Sequence, residues 1–174
     1  MKRIAALTLL LSISLIAQQP TPRPAAKPED VIRDWMQAWT QLDGSDASAK
    51  KFADLYTGDA VHETGPNARQ KGLVYYEGLS DIQKMAKAFG ETNGDITFRI
   101  APSTANEKSV DLMHLAEGPW GGAAAAIEYI TAYTLKKDRK RFMSPGAAFI
   151  QIQNGKIRRT RLYAPREEVT EIVP

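Results

Sequence analysis

Residues 52–64 read FADLYTGDAVHET, and this stretch decides the architecture. Phe52, Leu55 and Tyr56 recur at helical spacing, so they complete the apolar face of a helix that Gly58 stops. Asp59 to Thr64 then reads as a short strand, closed by Gly65-Pro66. Immediately upstream, Ser45 or Asp46 is a good starting point for that helix. Further back, Pro28 suits the first turn of an earlier helix, and Glu29 and Asp30 suit its positive end. Ile32, Trp35, Trp39 and Leu42 give this first helix one apolar face, and Asp43-Gly44 ends it.

Downstream, a third helix is predicted with Ser80-x-x-Gln83 as a capping box and Gly90 beyond its C-terminus. Its inward residues are Ile82, Met85, Ala86 and Phe89. The remainder is strand-like. Ile96 to Ile100 alternates, and Val110, Leu112, His114 and Ala116 share one face of a longer strand. A strand start near Ala123 leads into the alternating Ile127, Tyr129, Thr131, Tyr133 and Leu135. The charged run Lys136 to Arg141 is the next turn, and Asn154-Gly155 between Phe149–Gln153 and Ile157–Tyr163 signals a hairpin. Helices followed by long antiparallel strands define an α+β domain over residues 28–174.

Two segments precede that domain. Lys2 and Arg3 lead into an apolar run from Ile4 to Ala17, which reads as a signal peptide over residues 1–17 and implies a secreted or periplasmic protein. The run is short for a bilayer span; an uncleaved anchor is the competing reading. Residues 18–27 carry Pro20, Pro22 and Pro24 and form a proline-rich tether. The 174 residues carry a formal charge of +3 from 23 basic and 20 acidic side chains. Removing Lys2 and Arg3 leaves a net of +1, which argues against a nucleic-acid partner. Cys is absent and only two His occur, which excludes disulfides, thiol nucleophiles and His-rich or Cys-based metal sites; no metal and no cofactor is expected.

Several patterns together resemble the nuclear transport factor 2-like superfamily, in its SnoaL-like and ketosteroid-isomerase-like branches. They are Trp35-x-x-x-Trp39, the passage from Phe52 to Val61, Gly78-x-x-x-Ile82 with Phe89, and Gly155-Lys156-Ile157 followed by Arg161-x-Tyr163. The resemblance covers residues 28 to 164. It implies a cone-shaped, mostly antiparallel curved sheet wrapped around N-terminal helices and enclosing an apolar pocket. Homodimerisation through the sheet is one arrangement it implies.

The family's catalytic positions map onto residues that cannot repeat its familiar chemistry. The isomerase base position falls at Thr64; Glu63 beside it faces the other side of the strand. The buried acid position falls at Ala148, whose methyl cannot donate to an enolate. The Asp that closes the cyclase pattern Arg-x-Tyr-x-Asp is replaced by Pro165.

His62 remains, on the same strand face as Thr64, and is the candidate acid or base because imidazole exchanges protons near neutral pH. A half-buried histidine hydrogen-bonded to a neighbour is the competing reading. The resemblance places Trp39, Tyr56, Thr64, His114 and Tyr129 as candidate pocket residues. Two functions follow from these residues. One is a pocket protein that binds a small, largely apolar molecule. The other is a cofactor-free acid/base enzyme of isomerase, dehydratase, cyclase or hydrolase type using His62. The basic runs Lys136–Arg141 and Arg158–Arg161 are expected to serve solubility and sheet-edge protection.

Overall fold

The computed structural model describes residues 26–65, 71–101, 113–118, 121–164 and 170–172. The leader over residues 1–17, most of the tether, and Val110, Leu112, Trp120 and Pro165 lie outside them.

The order is α1 (Pro28–Thr40), α2 (Asp46–Ala53), β1 (Tyr56–Thr64), β2 (Val74–Glu77), α3 (Gly78–Thr92) and β3 (Asn93–Ile100). Then follow β4 (Met113–Glu117), β5 (Ala123–Leu135), β6 (Arg141–Gln153), β7 (Lys156–Tyr163) and β8 (Thr170–Ile172). The strands form one sheet in the order β2-β1-β7-β6-β5-β3, with β4 added to β5 and β8 to β6. Pairing is antiparallel except between β1 and β7, which run parallel. This is the expected α+β arrangement, with the helices against one face of the sheet. The 13-residue strands β5 and β6 are its backbone, paired from Ala123↔Ile152 to Thr134↔Arg141.

Helix α1 buries Val31, Ile32, Trp35 and Trp39, the face its periodicity predicts. Ser45 caps α2 by accepting from the Ser48 N–H at 3.1 Å. The hairpin between β6 and β7 turns at Asn154 (φ 52°) and Gly155 (φ 72°), the left-handed pair that a two-residue turn of this hand requires.

Three local expectations are corrected. Helix α2 stops at Ala53, and Tyr56 opens β1 rather than closing the helix. The helical spacing and the strand alternation overlap at Tyr56, and pairing with Ile157 of β7 takes it into the sheet. Helix α3 begins at Gly78 with Glu77 at its cap, so Ser80 lies inside the first turn and no side-chain cap forms. Gly90 is inside that helix too. A Cβ there would fall on the Gly44 backbone nitrogen, so it is a close-approach glycine between α3 and the α1–α2 turn. Finally, the basic stretch Arg158–Arg161 does not guard a sheet edge, because β7 lies between β1 and β6.

Candidate functional site

A cavity of about 800 Å³ lies between the helices and the sheet. Its walls are largely aromatic: Trp39 from α1, Tyr76 from β2, Phe89 from α3, Phe98 from β3, and Tyr129 and Tyr133 from β5. Trp39, Phe98 and Tyr129 form a near-parallel stack, with centroid separations of 6.0 and 4.5 Å and interplanar angles of 13° and 23°. Phe89 meets Trp39 edge-on at 5.1 Å. Gly146 on β6 makes room for this stack, since a Cβ there would collide with the Tyr129 phenol ring. Packed rings of this kind hold their positions and present flat apolar surface.

Charge is nearly absent from the wall. Among the described residues, Asp81 and Lys84, one turn apart on α3, are its only lining residues that are ordinarily charged, and they pair with each other at 3.1 Å while remaining exposed. Burial pushes the Tyr129 phenol up, so it stays protonated. Among the described residues its hydroxyl makes one long contact, 3.5 Å, to the Tyr163 carbonyl.

Asn93, at the first residue of β3, also lines the cavity and is 2% exposed. Its amide nitrogen donates to the Phe89 carbonyl at 2.8 Å and to Thr92 Oγ1 at 2.9 Å. These two acceptors fix the amide orientation. Its oxygen has no hydrogen-bond partner among the described residues, and neither has the Trp39 indole N–H.

Of the residues predicted for the pocket, Trp39, Thr64 and Tyr129 line it, whereas Tyr56 and His62 do not. His62 shares the inward face of β1 with Thr64, as alternation requires, but lies wholly buried in the core. It belongs to a hydrogen-bonded relay with Tyr56. The Trp35 indole donates to the Tyr56 hydroxyl at 2.7 Å. That hydroxyl and Thr160 Oγ1 lie 2.9 and 2.6 Å from His62 Nδ1 and bond to each other. The two hydroxyls share one proton between them, which leaves one to donate to Nδ1; with Nδ1 assigned as that acceptor the imidazole proton sits on Nε2, which has no hydrogen-bond partner among the described residues. Burial away from water is the main reason that the His62 pKa falls to about 3, against a smaller upward pull from Glu63. The ring is therefore neutral throughout the physiological range.

Glu63, the next residue, points to the opposite face. Arg159 and Arg161 of β7 both donate to its carboxylate, with Arg159 Nε at 2.6 Å from Oε1. The carboxylate is covered, while the two guanidinium groups remain partly open to solvent. Burial alone would raise the Glu63 pKa; the hydrogen bonds and charges of Arg161 and Arg159 reverse this and lower it. His114 pairs with Ala126 across β4 and β5, and its side chain lies outside what is described.

Sequence reasoning missed Asn93, Phe98 and Thr160 as site or relay residues. Asn93 carried one signal, an Asn at a helix-to-strand junction, but the unpartnered oxygen exists only after folding.

An aromatic-walled cavity between helices and a curved mixed sheet defines the cone-shaped class of α+β pocket proteins. The chain belongs to the family of SnoaL-like domains, which matches residues 32–160. No curated protein shows significant sequence similarity to it. Solved structures share the fold at low identity. A Catenulispora acidiphila hypothetical protein with a ketosteroid isomerase-like fold, in complex with trimethylamine, is 14% identical (TM-score 0.60; 83% of this chain and 91% of that one). The epoxide hydrolase/cyclase-like enzyme SalBIII is 13% identical (TM-score 0.57; 83% and 95%). An NTF2-like protein of unknown function from Exiguobacterium sp. 255-15 is 11% identical (TM-score 0.53; 77% and 97%).

Proposed function

We propose that this protein binds a small, largely apolar, uncharged molecule in the aromatic cavity. The observation that carries this reading is the composition of the wall: stacked rings with, among the described residues, no unpaired charge and no imidazole. Such a surface holds a flat apolar molecule by burial and ring contact. The trimethylamine complex of the Catenulispora relative supports small-molecule binding in this fold.

Acid/base catalysis by His62 is the less supported alternative. It would need a substrate to reach a fully buried ring whose proton affinity burial has already reduced. His62→Gln is therefore expected to alter stability and leave ligand affinity nearly unchanged.

Calorimetric titration with 1-tetralone, a neutral bicyclic ketone, tests the binding reading. One molecule is expected to bind per chain, and Thr131→Trp, which fills the cavity from β5, is expected to abolish it. Absence of binding to the unmodified protein, or equal binding to the filled variant, would overturn the reading.

Export is proposed as well, supported by Lys2 and Arg3 ahead of the apolar run. Protein recovered from its host should then begin near Gln18, and an intact Met1 would refute this. A homodimer through the sheet would use the face carrying exposed Phe149 and Tyr163, whose rings meet edge-on at 6.1 Å. A solution mass of one chain would remove that proposal.

A further inference from the structure

We infer that Ala88, on the exposed side of α3, is a specificity-determining residue of the cavity, because its bare methyl sets the width of the opening through which a ligand passes. This rests on the binding reading and adds to it where a molecule enters and what limits its girth.

Exposure locates the opening. Among the described residues that line the cavity four are exposed, and all four belong to α3: Asp81, Lys84, Ala88 and Thr92. Steps of three or four residues put them in one stripe along the helix. Next round the helix come Met85 and Phe89, which also line the cavity but are buried and half-buried. Beyond them Ile82, Ala86 and Gly90 are buried in the core. Around its circumference α3 thus passes from solvent to cavity to core.

The opposite wall belongs to other strands. α3 packs mainly on α2, β1, β2 and β3. Ser144 of β6, Leu162 of β7 and Ala164 just beyond it line the cavity from outside that set. The helix and these strands are walls of one cavity without being principal packing partners, and the exposed stripe is the helix side of the gap between them.

Within the stripe, Ala88 is the residue that leaves room. Asp81 and Lys84 stand nearer the start of the helix and pair at 3.1 Å. An exposed pair of this kind yields readily to a passing molecule, because water screens it and can replace either partner. Thr92 turns back on the helix, donating from Oγ1 to the carbonyls of Ala88 and Phe89 at 3.0 and 3.1 Å. Ala88, between them, ends at Cβ, so the gap is widest over it. A longer side chain there would stand in the passage.

The surface that holds the ligand lies elsewhere. The stack of Trp39, Phe98 and Tyr129 is built from α1, β3 and β5. A change at Ala88 therefore acts on the passage and not on the seat. Affinity compares the free and bound states alone. An obstacle met only in transit slows entry and exit together, and slows the wider molecule more.

Stopped-flow mixing followed by intrinsic tryptophan fluorescence tests this with two neutral probes of different girth, 1-tetralone and 4,4-dimethyl-1-tetralone. Ala88→Phe is expected to lower the association and dissociation rate constants of 1-tetralone roughly tenfold each, while the calorimetric Kd changes less than about threefold. The dimethyl ketone should be slowed further. Ala88→Leu should fall between; leucine is nearly as good a helix former as alanine, so this variant decides should the Phe variant not fold. Gln37→Phe, at an exposed position of α1 that does not line the cavity, should change neither rate. Unchanged rates on enlarging Ala88, a weakened Kd with unchanged association, or equal slowing by Gln37→Phe would each overturn the inference and leave the binding reading standing. Failure of both ketones to bind the unmodified protein would overturn both.

Discussion

Two tyrosines inside this protein are both buried and face opposite circumstances. Tyr56 opens β1, and its hydroxyl is bonded to Trp35, Thr160 and His62. Tyr129 sits in the middle of β5, and among the described residues its hydroxyl reaches one carbonyl, at 3.5 Å. The first belongs to a relay that ends on His62 Nδ1. The second belongs to the cavity wall, where its ring stacks on Phe98. The lesson concerns histidine. An imidazole on the inward face of a strand invites a catalytic reading, yet His62 is fully covered and hydrogen-bonded within the closed region.

The contrast can be broken by substitution, beginning with the largest effect. Trp35 is fully buried, packs edge-on to Phe98 at 5.1 Å and feeds the relay. Trp35→Ala is expected to destabilise by about 3–5 kcal/mol in urea unfolding. A loss below about 1 kcal/mol would remove the ring from the core.

Acid should weaken the closed region next. The unfolded chain protonates His62 near pH 6.5, while the folded chain resists until about pH 3. Stability is therefore complete above about pH 6.5 and declines as pH falls below it, by up to about 1.4 kcal/mol per pH unit from this group. The total between pH 7 and pH 5 is about 2 kcal/mol. Glu63 acts in the same direction at lower pH: its depressed carboxylate stabilises above the ordinary carboxylate range and loses that contribution as it protonates. Urea midpoints measured from pH 7.5 to 5 should show the slope in the wild type. His62→Gln should flatten it.

The smallest expected difference is the most discriminating for the comparison. Tyr56→Phe leaves the Trp35 N–H unanswered and is expected to cost about 1–2 kcal/mol. Tyr129→Phe should stay within about 0.5 kcal/mol, because little is lost with its hydroxyl. Equal losses in thermal unfolding would mean that the two environments do not differ as described.

Much of the closed region was legible in the sequence. The face of α1, the hairpin at Asn154-Gly155 and the inward side of β1 all followed from periodicity and turn chemistry. Local signals failed where two of them overlapped. Tyr56 fitted both a helix face and a strand start, and pairing with β7 decided it. Ser80-x-x-Gln83 imitated a capping box one turn too late, because Gly78 at φ 72° lets the chain turn directly from β2 into α3. The wall was only partly legible. Trp39, Thr64 and Tyr129 were in view, but Phe98 joins the wall by stacking between Trp39 and Tyr129. Likewise, Glu63 acquires Arg159 and Arg161 from a strand almost a hundred residues away. Neither relation leaves a local pattern.

The central claim is that the closed relay holds the fold while the open wall holds the ligand. Nitrogen-15 NMR of the ring and indole nitrogens during titration with 1-tetralone tests it most directly. The account expects the Trp39 indole N–H resonance to shift strongly, while His62 stays neutral, protonated at Nε2, from pH 8 to pH 5 and changes little with ligand. A His62 ring that titrates near pH 6.5, or one that shifts with the ligand while Trp39 does not, would contradict it.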